Sequence, residues 1–348
     1  MCMDSVRNRR WSPFLFTAAE AALARHARDW VGRGLVALSL AALATVAAAG
    51  GTEGIEGAEI EPADGAVSTV GEAPERLYFV DLLRPETTPQ ARERLLPLLI
   101  AEADAGDYYI AMLLGHLYFL GPSHPAGVLE RRLDHAERYF RIALDAGFPG
   151  AMLPLAEVAL ANGDFAKALV WVQAHMIFRE HIGTPDDGPG YAVTLLSRVQ
   201  ARGRRELDQQ ALVERVQSIM DSHGPRMLAF DQAAWDVSQS QFRLAPRSTL
   251  PECRTLDLRD GSARSVRTAK LHTRSHWAGG YAEFVMGASP QGRVTELLVY
   301  ASYPNLSVAE GMATALQAQL ALTEVPDACP TRWTLLPAQS ANVRARLR

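Results

Sequence analysis

Apolar positions along this chain change period once. From Thr88 to about Arg243 they recur at three and four, as in Leu95, Leu98 and Leu99 or Leu212, Val216 and Ile219. That is the period of helices with one buried face. Breakers separate the segments at Gly106, Gly121-Pro122, Gly147-Phe148-Pro149, Asn162-Gly163, 183–190, Gly203 and Gly224-Pro225. The pattern predicts about eight helices, arranged as stacked pairs. After Arg247 the texture alternates. Runs at 252–258, 264–272, 279–288 and 293–301 read as strands, with Ser289-Pro290-Gln291-Gly292 as a tight turn between the last two. Val294, Glu296, Leu298 and Tyr300 are expected on one face of the final run, and Thr295, Leu297 and Val299 on the other. A helix over 308–322 with Ser307 as N-cap follows, and then a strand at 331–336. The fold class read from this is α+β: an N-terminal α-helical repeat array followed by a small α+β domain with an antiparallel sheet.

Two stretches lie outside both periods. Gly34 to Ala49 carries no charge, follows Arg25, Arg28 and Arg33, and ends in Ala47-Ala48-Ala49 before Gly50. This three-part pattern is that of a secretory signal, with Ala47, Ala49 and Gly50 marking the cleavage site. The apolar run is shorter than the roughly 20 residues a membrane span needs. An uncleaved anchor is the alternative, and it would place residues 34–49 at a membrane. Val31 falls where a leader of ordinary length would begin and is the expected translation start. Residues 50–75 are rich in Glu, Gly and Ala without Lys or Arg, a composition expected to stay disordered. The expected organisation is a signal peptide with leader at 1–49, an acidic linker at 50–75, a repeat domain at 76–246 and an α+β domain at 247–348.

Composition adds restrictions. Net charge is −4, and the arginines alternate with Asp and Glu, so no nucleic-acid partner is expected. Export makes the cysteines informative. Cleavage after Ala49 removes Cys2 and leaves Cys253 and Cys329, which fit one disulfide in an oxidising compartment. Two unrelated buried thiols are the other reading. A loop closed over 253–329 is worth about 4 kcal/mol in the chain-entropy model.

The repeat phrase is densest at 106–147: Gly115-x2-Tyr118-x2-Gly121, then Ala136-x2-Tyr139-Phe140-x2-Ala143-x3-Gly147. Small Ala136 and Ala143 allow close helix approach, Tyr139-Phe140 fill the groove between pairs, and Gly147 ends the helix in a left-handed conformation. A second copy has Leu155-Ala156, Gly163-Asp164 and Ala168-x2-Trp171. The phrase resembles the Sel1-like repeat of the tetratricopeptide superfamily, which implies a protein-binding module. The C-terminal region resembles the TonB C-terminal domain, through Gly280 to Val285, Pro290-Gln291-Gly292-Arg293-Val294, Leu298-Val299-Tyr300 and a helix with Ala309, Met312 and Leu316. That resemblance implies partner binding through an open sheet edge. The Tyr-Pro element and the proline-rich spacer of that family are missing, which argues against force transmission.

No catalytic residue, metal site or cofactor is expected. Gly287-Ala288-Ser289-Pro290-Gln291-Gly292 has Gln291 where a nucleophile elbow needs glycine. His272 and His276 lie on a strand and turn, where a spacing of four does not converge. Neither Lys167 nor Lys270 follows a glycine-rich run. Arg131, Arg132, Arg138 and Arg141 interleave with Glu130, Asp134 and Glu137 as a solvated, ion-paired face. The expected function is a periplasmic adaptor or scaffold that binds another protein or peptide, with Tyr108, Tyr109, Tyr118 and Tyr139 as the candidate aromatic contacts, most of them expected to fill seams between helix pairs. The alternative is a diverged TonB-like energy-transducer component anchored by its N-terminal segment.

Overall fold

A computed structural model describes residues 79–182, 190–203, 209–230, 258–259, 269–273, 279–322, 326–327, 329 and 331–342. The signal and its cleavage site, the acidic linker, Cys2, Cys253, His276 and the elements expected at 252–257 and 264–268 lie outside these residues. Among the described residues no helix is long and apolar enough to cross a membrane.

Eight helices come first. They are α1 (Phe79–Leu83), α2 (Pro89–Asp104), α3 (Tyr108–Leu120), α4 (Leu133–Asp145), α5 (Met152–Ala161), α6 (Phe165–His181), α7 (Tyr191–Arg202) and α8 (Gln209–Ala229). Local chemistry sets their starts. Thr88 Oγ1 accepts from the Ala91 amide, with Pro89 in the first turn of α2. Asp107 accepts from the Tyr109 and Ile110 amides at 2.9 and 3.0 Å. Asp164 accepts from the Lys167 amide at 2.9 Å. At the end of α4, Gly147 adopts φ 93° and the Phe148 amide returns to the Ala143 carbonyl. A side chain at Gly147 would also press on the Arg226 carbonyl of α8.

Among the helices, the most extensive packing joins α3 to α4 and α5 to α6, so each of these pairs is a hairpin. Ala136 and Ala143 are fully buried, as their size predicts. Tyr139 and Phe140 do not fill the groove between pairs. They fill the α3–α4 hairpin itself: Tyr139 stacks on Tyr118 with centroids 5.7 Å apart, and Phe140 occupies the space that a side chain at Gly115 would need. Helix α5 is apolar almost all round and is buried along most of its length.

The α+β part holds β1 (Leu258–Arg259), β2 (Ala269–Thr273), β3 (Tyr281–Ala288), β4 (Val294–Tyr303), α9 (Leu306–Gln319), β5 (Ala321–Leu322) and β6 (Arg332–Asn342). The main sheet has order β2-β6-β3-β4. Strands β6, β3 and β4 are antiparallel, whereas β2 lies parallel to β6. The sheet is therefore mixed rather than antiparallel throughout. The last strand runs on to Asn342, beyond its expected end at 336. Asn305, not Ser307, caps α9, accepting from the Ser307 amide at 3.2 Å.

Residues 77–348 form one compact unit. The helical array and the α+β part, expected as separate domains meeting at 246/247, thus share a core boundary. Helix α9 covers one sheet face through Ala282, Phe284, Met286, Ala288, Val308, Ala309, Met312 and Leu316. Helix α3 packs against β4 from the other side. Cys329 is disulfide-bonded, and Cys253, its expected partner, lies outside the described residues.

Candidate functional site

The chemistry-bearing side chains gather where the helices meet the sheet. Strand pleating sends Ala282, Phe284 and Met286 toward α9. Tyr281 and Glu283 take the other side, and the Tyr281 hydroxyl donates to Glu283. Strand β4 joins them through a bulge. Glu283 pairs with Ala301 and Phe284 with Val299, leaving Tyr300 as the extra residue. Tyr300 turns to the helices, where its hydroxyl donates to the Tyr109 carbonyl at 3.0 Å. A second register shift at Gly287/Ala288 moves Val294 onto the α9 side with Leu297 and Val299, not to the face of Glu296 as the simple alternation predicted.

His116 on α3 lies at the centre. Its Nδ1 is 2.7 Å from the Tyr303 hydroxyl, and the rings of Phe140, Tyr300 and Tyr303 surround it. Its Nε2 is buried and makes no hydrogen bond among the described residues. Burial pushes the imidazole down to about 3, with His124 adding to the shift, so it is neutral at physiological pH. His124 follows α3. Burial lowers it to about 4, against a smaller opposing effect from its bond to Val299. Burial also raises the phenols of Tyr109, Tyr281, Tyr300 and Tyr303, which stay protonated. Glu283 is pushed up to about 7 by burial, with the Tyr281 hydroxyl pulling the other way.

A second polar knot flanks the first. Glu157 is the one carboxylate of apolar α5 and is 2 % exposed. It receives both the Arg198 guanidinium and the Tyr191 hydroxyl from α7. The Tyr191 amide donates to Gln339 Oε1 on β6 at 3.1 Å, and its ring stacks on Tyr281 with centroids 5.3 Å apart. A third anchor is Arg84, just after α1. It bonds both Glu296 carboxylate oxygens at 3.0 and 3.1 Å and lies over the Trp333 ring. Most of the polar groups in the arrangement bond one another. The phenols and imidazoles keep their neutral forms at physiological pH.

The four tyrosines named as candidate contacts separate. Tyr109 and Tyr139 are core, 3 % and 2 % exposed, because each ring fills a seam against neighbouring aromatics. Burial removes both from a direct contact role. Tyr108 and Tyr118 are half-buried. Tyr108 packs on Phe148 and Phe230, and Tyr118 on His135 and Tyr139. The arginine face of α4 is ion-paired as expected: Arg132 with Asp134, Arg138 with Asp104, and Arg141 with Glu137, which also takes Lys167. Among the described residues no group of three or more metal-ligating side chains converges. His272 lies on β2.

Sequence reasoning passed over His116, Glu157, Tyr191, Arg198, Tyr281, Glu283 and Tyr303. A signal was present for some. Glu157 and His116 are each the single strongly polar residue inside an otherwise apolar helix. A polar group that must be buried needs a partner, and that need points to a seam.

The chain matches no family model, no curated protein and no solved structure.

Proposed function

We propose that this chain is an exported, periplasmic adaptor that binds another protein or peptide through its helical array. The observation that carries this reading is the pair of hairpins, α3–α4 and α5–α6, built on the Sel1-like phrase and stacked in sequence order. Repeat units of this kind leave a continuous outer surface, and such surfaces serve recognition. The ion-paired ridge of Arg132, Arg138 and Arg141 on α4 and the half-buried rings of Tyr108 and Tyr118 offer polar and aromatic contacts there. The polar joint behind the array supports the reading as a rigid scaffold, because its long-range bonds tie helices to the sheet. The sheet serves as the second element of the adaptor, fixed to the array by the same joint.

The test has two parts. Intact mass of the chain from its native host should give a start at Gly50 and one disulfide. A photo-crosslinking residue at Arg138 or Arg141 should then capture a discrete protein partner in the envelope, while one at exposed Glu310 on α9 should not. A chain that keeps residues 34–49 would put the membrane-anchored transducer reading first. Equal capture from α4 and α9, or none from α4, would overturn the adaptor reading.

A further inference from the structure

The segment between α3 and α4, Gly121–Arg132, lengthens the first repeat unit and reaches the sheet. Strand β4 ends the main sheet, and no strand pairs with its outer edge among the described residues. His124 meets that edge. Its Nε2 is 3.0 Å from the Val299 carbonyl, which only accepts, so Nε2 carries the proton. Its Nδ1 accepts from the Ala126 amide at 3.0 Å. The ring is 2 % exposed. Both nitrogens are thus committed, in one neutral tautomer.

We propose that residues 121–132 form an acid-released clasp on the β4 edge, with His124 as its proton-sensing side chain. A second proton has one place to go, Nδ1, and there it meets the Ala126 N–H head on. The charged ring cannot keep both bonds, whereas it can in its neutral form. The groups around it offer no compensation. Arg92 on α2 donates from Nη1 to the Ala126 carbonyl at 3.0 Å, so a guanidinium already lies beside the segment. His116 on α3 stays neutral across this range and supplies no compensating charge. Strand β4 presents the Val299 carbonyl, and Tyr300 and Tyr303 stay neutral phenols. No carboxylate pairs with His124 among the described residues.

The direction follows from linkage. The imidazole is lowered from 6.5 to about 4 in the closed clasp, while an opened segment returns it to water. The closed form then binds fewer protons, so its advantage is full above 6.5 and is lost as pH falls through about 4. Each pH unit in that window favours opening about tenfold, or roughly 300-fold across it. The hinges are the two helix ends. The Arg132 amide holds the Tyr118 carbonyl and Arg131 Nε the Phe119 carbonyl, contacts that contain no titrating group in this range. Release uncovers the Val299 carbonyl on the sheet edge and leaves the packing of α9 on the other sheet face untouched.

Amide hydrogen exchange of the full chain, corrected for the intrinsic pH dependence of exchange, tests this. Peptides covering 121–132 should lose protection as pH falls, and peptides covering 306–317 on α9, which contains no histidine, should not. His124→Gln keeps a donor for Val299 and cannot titrate, so its protection should be flat across the window. Equal loss in both regions, a flat wild-type profile or an unchanged slope in H124Q would overturn the clasp. If H124Q does not fold, nitrogen NMR of the wild-type imidazoles decides alone. An Nε2–H tautomer with a midpoint near 4 supports the clasp, and a midpoint near 6.5 removes it.

Discussion

One strand shows two kinds of adhesion. Strand β3 turns Ala282, Phe284, Met286 and Ala288 to α9, where they join an apolar cluster with Val308, Ala309, Met312 and Leu316. It turns Tyr281 and Glu283 to the helical array, where hydroxyls, imidazoles and carboxylates dominate. The α9 face gains by removing area from water, a force without direction. The array face gains little net energy per hydrogen bond, but it penalises every misplacement, because an unmatched buried polar group is costly. The first kind holds the α+β part together. The second fixes the position of the sheet on the helical array, whose helix surfaces would otherwise allow several docking registers.

The largest effect expected from this contrast is on the apolar side. Phe284 is fully buried under α9. Phe284→Ala should cost about 4 kcal/mol in urea-induced unfolding, through lost transfer energy and a residual cavity. A loss below about 1 kcal/mol would mean the cluster repacks and is not the organising core of the sheet.

Next is the buried pair. Glu157→Ala leaves the Arg198 guanidinium without its carboxylate and should cost about 3 kcal/mol. Replacing both partners, Glu157→Leu with Arg198→Met, should recover most of that loss, since well-packed apolar pairs match buried ion pairs in stability. The contrast sharpens if the double variant is stable yet the sheet loses its fixed seat, read as faster exchange of the Tyr191 amide bonded to Gln339. A double variant as unstable as the single one would show that the pair supplies stability as well as position.

Glu283 gives the comparison a pH axis. Burial raises its carboxyl from 4.5 to about 7, so the folded state binds the proton more tightly than the unfolded chain. The stability it contributes is complete below 4.5 and is lost as pH rises through about 7. Glu283→Gln accepts from Tyr281 without carrying a charge. It should match the parent near pH 5 and exceed it by about 2 kcal/mol near pH 9, a difference read from chemical unfolding at the two values. A constant difference across that range would place the carboxyl in water rather than in the seam.

How much of this was legible in the sequence follows from the range of the forces. Helices α2 to α8 and strands β3 and β4 follow from period, breakers and turns, which are local. Gly147 and Ala136 were readable because a backbone sign and a close approach restrict the residue type at a single position. The two bulges of β4 were not readable, since they depend on how the strand fits β3, and so Val294 was assigned to the wrong face. The joint itself was half-readable. His116 and Glu157 stand out as polar residues in apolar helices, but the partners they need, Tyr303 and Arg198, lie far away along the chain. Which of the repeat tyrosines would be core was not readable either: Tyr109 and Tyr139 are buried, Tyr108 and Tyr118 half-buried. Their spacing shows that they share a face, but not that the face closes on itself.

The smallest expected effect tests the joint at its centre. Tyr303→Phe removes the hydroxyl that meets His116 Nδ1 and keeps a ring against Tyr281, Tyr191 and Phe119. Apolar packing is preserved, so a face held by area alone would lose almost nothing. A face held by matched polar groups should lose about 1 kcal/mol, because His116 already has one unbonded nitrogen and would then have two. Thermal unfolding near neutral pH reads the difference. His116→Leu, which deletes the ring that needs satisfying, should in turn abolish most of the cost of Tyr303→Phe when the two are combined. Additive losses would show that the pair is packed but not coupled, and the array face would then differ from the α9 face in composition rather than in the way it holds.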